Sequence, residues 1–191
     1  MDANAVVEVL LREQVGDPSD VEAVAAADGM PTIRVAPGRV VEVGRVLRDA
    51  PDLRFNVLVD LTAVDFHPRE PRFELVYLLL CTGAGGSGDV PKRLRMKVLV
   101  AGAIARVPTV SGIWPVANWA EREVYDFFGV EFEGHPDPRR ILMPEDWEGF
   151  PLRKDYPVQI KTPVKTYEPL QLSEQEFLAN MQAARSRPPG D

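Results

Sequence analysis

The sequence predicts an α+β domain, a small mixed or antiparallel sheet with helices packed on one face, followed by a long extended C-terminal arm. Three observations predict it. Apolar residues recur at helical spacing near the N-terminus and again over 39–50. Lys92 to Val100 alternates, with Leu94, Met96, Val98 and Val100 on one side and Arg93, Arg95 and Lys97 on the other, as in a strand with one wet face. Nine of the 18 prolines crowd between Pro136 and Pro189, each removing a backbone donor and forbidding a continuous helix or central strand. The expected boundaries are 1–130 for the core domain and 131–191 for the proline-rich arm.

Residues 2–14 read as a helix capped by Asp2, with Ala3, Val6, Val7 and Leu10 on one face. Thr32-Ile33-Arg34-Val35 reads as a short strand, and Arg39–Ala50 as a second helix with Val40, Val43 and Leu47 inward. Arg54–Val59 and Phe73–Cys81 are apolar, β-rich runs. The GAGGSGD stretch from Gly83 is expected to be a flexible hairpin connection. No Gly-Lys-Ser/Thr follows it, so a phosphate loop is not expected. The arm still carries Phe132, Ile141, Leu142, Trp147, Phe150, Leu152, Tyr156, Val158 and Tyr167, more anchors than a solvated linker has. An extended segment buried by a partner accounts for both its prolines and its anchors. A short helix is expected near 173–185, where Ser173 and Glu176 form a capping-box pair.

Composition narrows the function. The 191 residues suffice for one domain with extensions. A net charge of -7 argues against a nucleic-acid partner. The longest apolar run, Leu75–Cys81, is far too short to cross a bilayer, so membrane association is expected only indirectly. MDANAVVEVL has no basic region before an apolar stretch, so no secretory signal is expected. The single cysteine, Cys81, points to a reducing compartment and an inert core thiol. Cys81, His67 and His135 are too few for an iron–sulfur cluster or a structural zinc site within one chain.

The most informative stretch is Glu121–Leu142, EREVYDFFGVEFEGHPDPRRIL. Asn118 is a candidate N-cap, Glu121 would complete its capping box, and Gly129 would end the helix. Arg122 and Asp126 do not serve that helix: the base precedes the acid, and Asp126 lies where the dipole disfavours an anion. These charges point to ion pairing across an interface.

The pattern Glu121-Arg122-Glu123, Asp126, Phe127-Phe128, His135, Arg139, Ile141-Leu142 resembles the signature of the thirty-kilodalton subunit family of respiratory complex I. WPVANWAERE before it, GFPLRKDYP (149–157) after it and DLTAVD (60–65) upstream strengthen the likeness. The resemblance implies a non-catalytic subunit of the peripheral arm of NADH:quinone oxidoreductase. Such a subunit supports electron transfer from NADH to quinone coupled to proton translocation. It implies no cofactor on this chain; FMN, iron–sulfur clusters and quinone would sit in partner subunits. It implies docking on the quinone-site subunit and the terminal iron–sulfur subunit, with the arm wrapping the former, at the cytoplasmic side of the bacterial inner membrane. The expected contact residues are Arg122, Glu123, Asp126, His135, Arg139, Arg153, Lys154, Asp155 and Tyr156. Related subunits occur in membrane-bound hydrogenases and other quinone reductases.

Other residues admit other chemistry. Asp65 and His67 could do acid–base work in a stand-alone hydrolase, but Pro68 and Pro71 make a turn the better reading. His135 could titrate near neutral pH, and the resemblance makes it a docking or structural residue. Arg93, Arg95 and Lys97 read as a solvated stripe, or as a complement to an acidic partner patch.

Overall fold

The computed structural model describes residues 2–13, 15, 17, 19–83, 91–102, 104–157 and 173–185. They fall into two units, Met1–Tyr156 and Pro157–Asp191. The first unit holds a five-stranded mixed sheet of β1 (Val21–Ala23), β2 (Thr32–Val35), β3 (Val57–Asp65), β4 (Phe73–Cys81) and β5 (Lys92–Val100). Its order is β1-β2-β5-β4-β3, with β2 and β5 parallel and the other pairs antiparallel. A second small sheet pairs β6 (Arg106–Pro108) in parallel with β7 (Glu131–Glu133).

Period-two alternation puts one face of the large sheet into the core. Register lines up Ala63, Leu75, Val98 and Val35 in one row and Leu61, Tyr77, Met96 and Ile33 in the next. All eight are buried. Helix α1 (Ala3–Arg12) adds Val6, Val9 and Leu10, and α2 (Val40–Asp49) adds Val40, Val43 and Leu47. Helix α3 (Ala117–Phe128) adds Val124 and Phe128 to the same cluster. Asp2 caps α1 as expected, accepting from the Ala5 N–H at 2.8 Å.

On the opposite face two of the three basic stripe residues are paired, while Arg93 is exposed. Lys97 Nζ lies 2.8 Å from Glu74, and Arg95 pairs with Asp28. The strand expected over 54–59 runs on to Asp65, because Leu61, Ala63 and Asp65 all turn inward. Val59 sits at a register shift between Leu58 and Asp60 and is exposed.

In the second unit the described element is α4 (Glu174–Arg185). Its capping box forms: the Ser173 N–H donates to Glu176 at 2.9 Å, and the Glu176 N–H donates back to the Ser173 hydroxyl. The glycine-rich connection beyond Gly83 and the arm over 158–172 lie outside the described residues.

Candidate functional site

The site is built around α3 and the irregular segment that follows β7. The helix starts differently from the sequence expectation. Val116 occupies the N-cap without a side-chain bond, and Asn118 lies inside the helix. Tight turns over Val110–Ala117 feed the chain into it, with Ile113 and Trp114 N–H groups both bonded to the Val110 carbonyl. Glu121 therefore forms no capping box. Its carboxylate accepts from the Val110 N–H at 2.7 Å and from the Thr109 hydroxyl. Glu121 is 0% exposed, and burial pushes its carboxyl up to about 7 against those two hydrogen bonds. The C-terminal expectation holds: Gly129 is left-handed (φ 73°), and its N–H reaches the Tyr125 carbonyl.

Asp126 is also 0% exposed. One carboxylate oxygen accepts from three successive backbone N–H groups, Ile141 at 3.2 Å and Leu142 and Met143 at 2.8 Å each. The other accepts from the Arg140 guanidinium at 2.7 Å. Burial raises the carboxyl, but these bonds outweigh it and hold it below the ordinary aspartate range. Arg122 works on the same segment, donating to the Arg139 and Arg140 carbonyls at 2.9 Å each. Its guanidinium also lies 3.4 Å from Asp137, which pairs with the exposed Arg139 at 2.7 Å. The partners of Arg122 and Asp126 are thus intramolecular: they fasten 137–143 onto the helix.

His135 Nδ1 accepts from the Asp137 N–H at 3.0 Å, and Nε2 faces the Asn118 carbonyl at 3.1 Å. That arrangement assigns the proton to Nε2 and ties β7's exit to the start of α3. Glu123 is exposed.

The 149–156 stretch is fastened to the turn after β3. Arg72 grips Asp65 with two bonds at 3.0 and 2.8 Å and reaches Asp155 at 3.0 Å. Asp65 also accepts from the Lys154 and His67 N–H groups at 2.9 Å each. Burial raises Asp65, but these bonds more than offset it and hold the carboxyl at about 2. A base that weak and that fully engaged is unsuited to proton abstraction. Arg153 joins Asp155 at 3.1 Å. Phe150 lies under Arg140 (5.2 Å) and Arg153 (5.9 Å), with the Tyr125 ring edge-on at 5.9 Å. Tyr156 packs near Gly149, and its N–H donates to the Arg153 carbonyl.

The sequence reading missed Arg140 and Arg72, the two cations that neutralise the buried aspartates. The signal was present for Arg140: an aspartate in a helix's last turn needs donors from elsewhere, and Arg139-Arg140 follows nearby. The fastened segment leaves Leu142 60% exposed, and Trp119 on α3 is 65% exposed. Large side chains held out from rigid backbone suit recognition by a partner surface.

Residues 33–162 match the model of the family described as respiratory-chain NADH dehydrogenase, 30 Kd subunit. The C subunit of NADH-quinone oxidoreductase from Roseiflexus sp. (strain RS-1) is 47% identical over 150 residues, covering 78% of this chain and 83% of that protein. Its counterpart from Geobacter sulfurreducens is 48% identical over 134 residues, covering 69% of this chain and 76% of the relative. Among solved structures, a chain of the membrane-bound sulfane sulfur reductase, an archaeal respiratory membrane complex, superposes with a TM-score of 0.63 at 27% identity, covering 81% of this chain and 85% of that one. With most of its length matched, from the second strand of the sheet to beyond Tyr156, this chain belongs to the 30 kDa subunit family of respiratory-chain NADH dehydrogenase.

Proposed function

We propose that this chain is a peripheral subunit of an NADH:quinone oxidoreductase that orders its neighbours and does no chemistry itself. One observation carries the docking surface: Asp126 and Arg122 commit their hydrogen-bonding capacity to the backbone of 139–143, holding irregular chain rigid with Leu142 outward. Such preorganisation lowers the entropy lost on association.

In this reading Trp119, Leu142, Glu123, Arg139 and Lys154 meet partner subunits. Arg122, Asp126, His135, Arg153, Asp155 and Tyr156 shape the surface from behind. The quinone-site subunit and the terminal iron–sulfur subunit are the proposed neighbours, and the cofactors FMN, iron–sulfur clusters and quinone are theirs. Residues 131–191 act as the docking arm. A helix as short as α4, with Phe177, Leu178 and Met181 exposed, gains stability from a partner's groove. No helix among the described residues is long and apolar enough to cross a membrane. Attachment at the cytoplasmic side of the inner membrane then runs through the complex.

A second reading is favoured by the superposition with a chain of an archaeal membrane complex: the equivalent subunit of a related respiratory assembly. Affinity purification of the tagged chain from mild-detergent membranes, with mass spectrometry and an NADH:quinone assay, separates the two. Iron–sulfur and quinone-site subunits with activity in the eluate support the first. A hydrogenase or sulfur-reductase partner supports the second. Recovery of the chain alone refutes both.

A further inference from the structure

Four carboxylates are buried among the described residues, and three of them have a cation beside them. Asp65 has Arg72 at 2.8 Å, Glu74 has Lys97 at 2.8 Å and Asp126 has Arg140 at 2.7 Å. Glu121 has no lysine or arginine partner. Its nearest basic group is His135 Nε2 at 3.7 Å, and that ring is committed to the Asn118 carbonyl and the Asp137 N–H, an arrangement the neutral ring makes. The fully buried phenol of Tyr77 on β4 also has no hydrogen-bond partner among the described residues, and burial followed by the charge of Glu121 pushes it up.

Glu121 lies in the lining of a cavity of about 420 Å³. Tyr125, Phe132 and Pro138 contribute apolar and aromatic wall. The basic groups around the opening are already engaged: Arg106 pairs with Glu131 at 2.9 Å, and Arg122 holds the 139 and 140 carbonyls. Glu133 at the rim is exposed and forms no ion pair among the described residues. Glu121, buried behind the wall, and Glu133 at the rim are thus the two carboxylates of this lining with no lysine or arginine beside them among the described residues, and aromatic walls flank them. Those are complementary to a flat cation, which stacks on rings and pairs with carboxylates.

We propose that this cavity receives a basic side chain from a neighbouring subunit, supplying the cation that Glu121 lacks. The inference rests on the docking reading above and adds to it the chemistry of one contact. The aromatic walls favour a guanidinium over an ammonium. An opposite charge acts over about 4–6 Å, and more strongly where water is excluded. Removing either member would leave the other buried and unpaired, which makes such a contact selective.

The test uses the assembled complex isolated from membranes. A photo-cross-linker, p-benzoylphenylalanine, placed at the exposed Pro138 is expected to join a neighbouring subunit next to an arginine or lysine. Glu133→Lys is expected to reduce recovered complex roughly tenfold, while Glu133→Gln reduces it much less, as like charges at a rim predict. The melting temperature of the isolated chain separates docking from folding and should not change in either variant. A cross-link to a stretch without a basic residue, or full recovery with Glu133→Lys, overturns the inference and leaves docking standing. Failure of the wild-type chain to co-purify with any other complex member overturns both.

Discussion

Asp126 in the last turn of α3 and Arg140 in the following segment meet at 2.7 Å, and both are largely shut off from water. Breaking a buried pair by removing one charge typically costs about 3–5 kcal/mol, because the other stays uncompensated. Asp126→Asn should therefore lower the melting temperature and the yield of assembled complex together. Thermal denaturation of the isolated chain checks the first; blue-native gels of membranes check the second.

Arg122→Ala removes two bonds to backbone carbonyls without touching the core. The expected result is less assembled complex with turnover per assembled complex nearly unchanged. Normal assembly with slow turnover would place Arg122 in the chemistry and sink the docking reading.

Gly129 combines a left-handed backbone with contact: an added Cβ would lie 2.5 Å from the Phe150 ring. Gly129→Ala should destabilise the chain by about 1–3 kcal/mol through strain and crowding. In a double-mutant cycle, Phe150→Ala should relieve the crowding but not the φ strain. Full additivity would show that the ring does not press on the glycine.

Burial leaves Glu121 with a carboxyl raised to about 7. A group raised on folding binds its proton more tightly in the native state. Its contribution is full below its unfolded value near 4.5 and is lost as pH rises through about 7. Glu121→Gln should flatten that part of the stability–pH curve, measured by urea denaturation between the two values. An unchanged slope would refute the assignment.

Asp65 has the opposite sign. Held at about 2, it contributes stability above its unfolded value of 3.8 and loses it as pH falls through the folded one. Asp65→Asn should leave Arg72 without its bidentate partner and reduce the acid sensitivity of the variant relative to wild type, as acid titration of the folded fraction would show.

Much of the fold was readable in advance. The alternation of β5 and the apolar spacing of α1 and α2 follow from periods set by local geometry. Strands β1, β6 and β7 have three residues each, too few to show a period. Glu121 shows the limit most clearly. Its spacing from Asn118 matches a capping box, yet the chain before it turns tightly and delivers Thr109 and Val110 to its carboxylate. Donors brought in by the tertiary fold override a local pattern that they do not disturb. The charges of Arg122 and Asp126 stood out because they did not suit their helix, and their partners proved to be 14 to 18 residues further along the same chain.

The bond from the Lys154 N–H to Asp65 spans 89 residues. Closing a loop of that length carries an entropic cost that local contacts do not, so the bond is expected to form once the sheet has brought its ends together. The surface around 149–156 is therefore finished only after the sheet exists. Under the docking proposal, a half-folded copy would lack this part of the contact surface, so incorporation into an assembly would favour completed molecules.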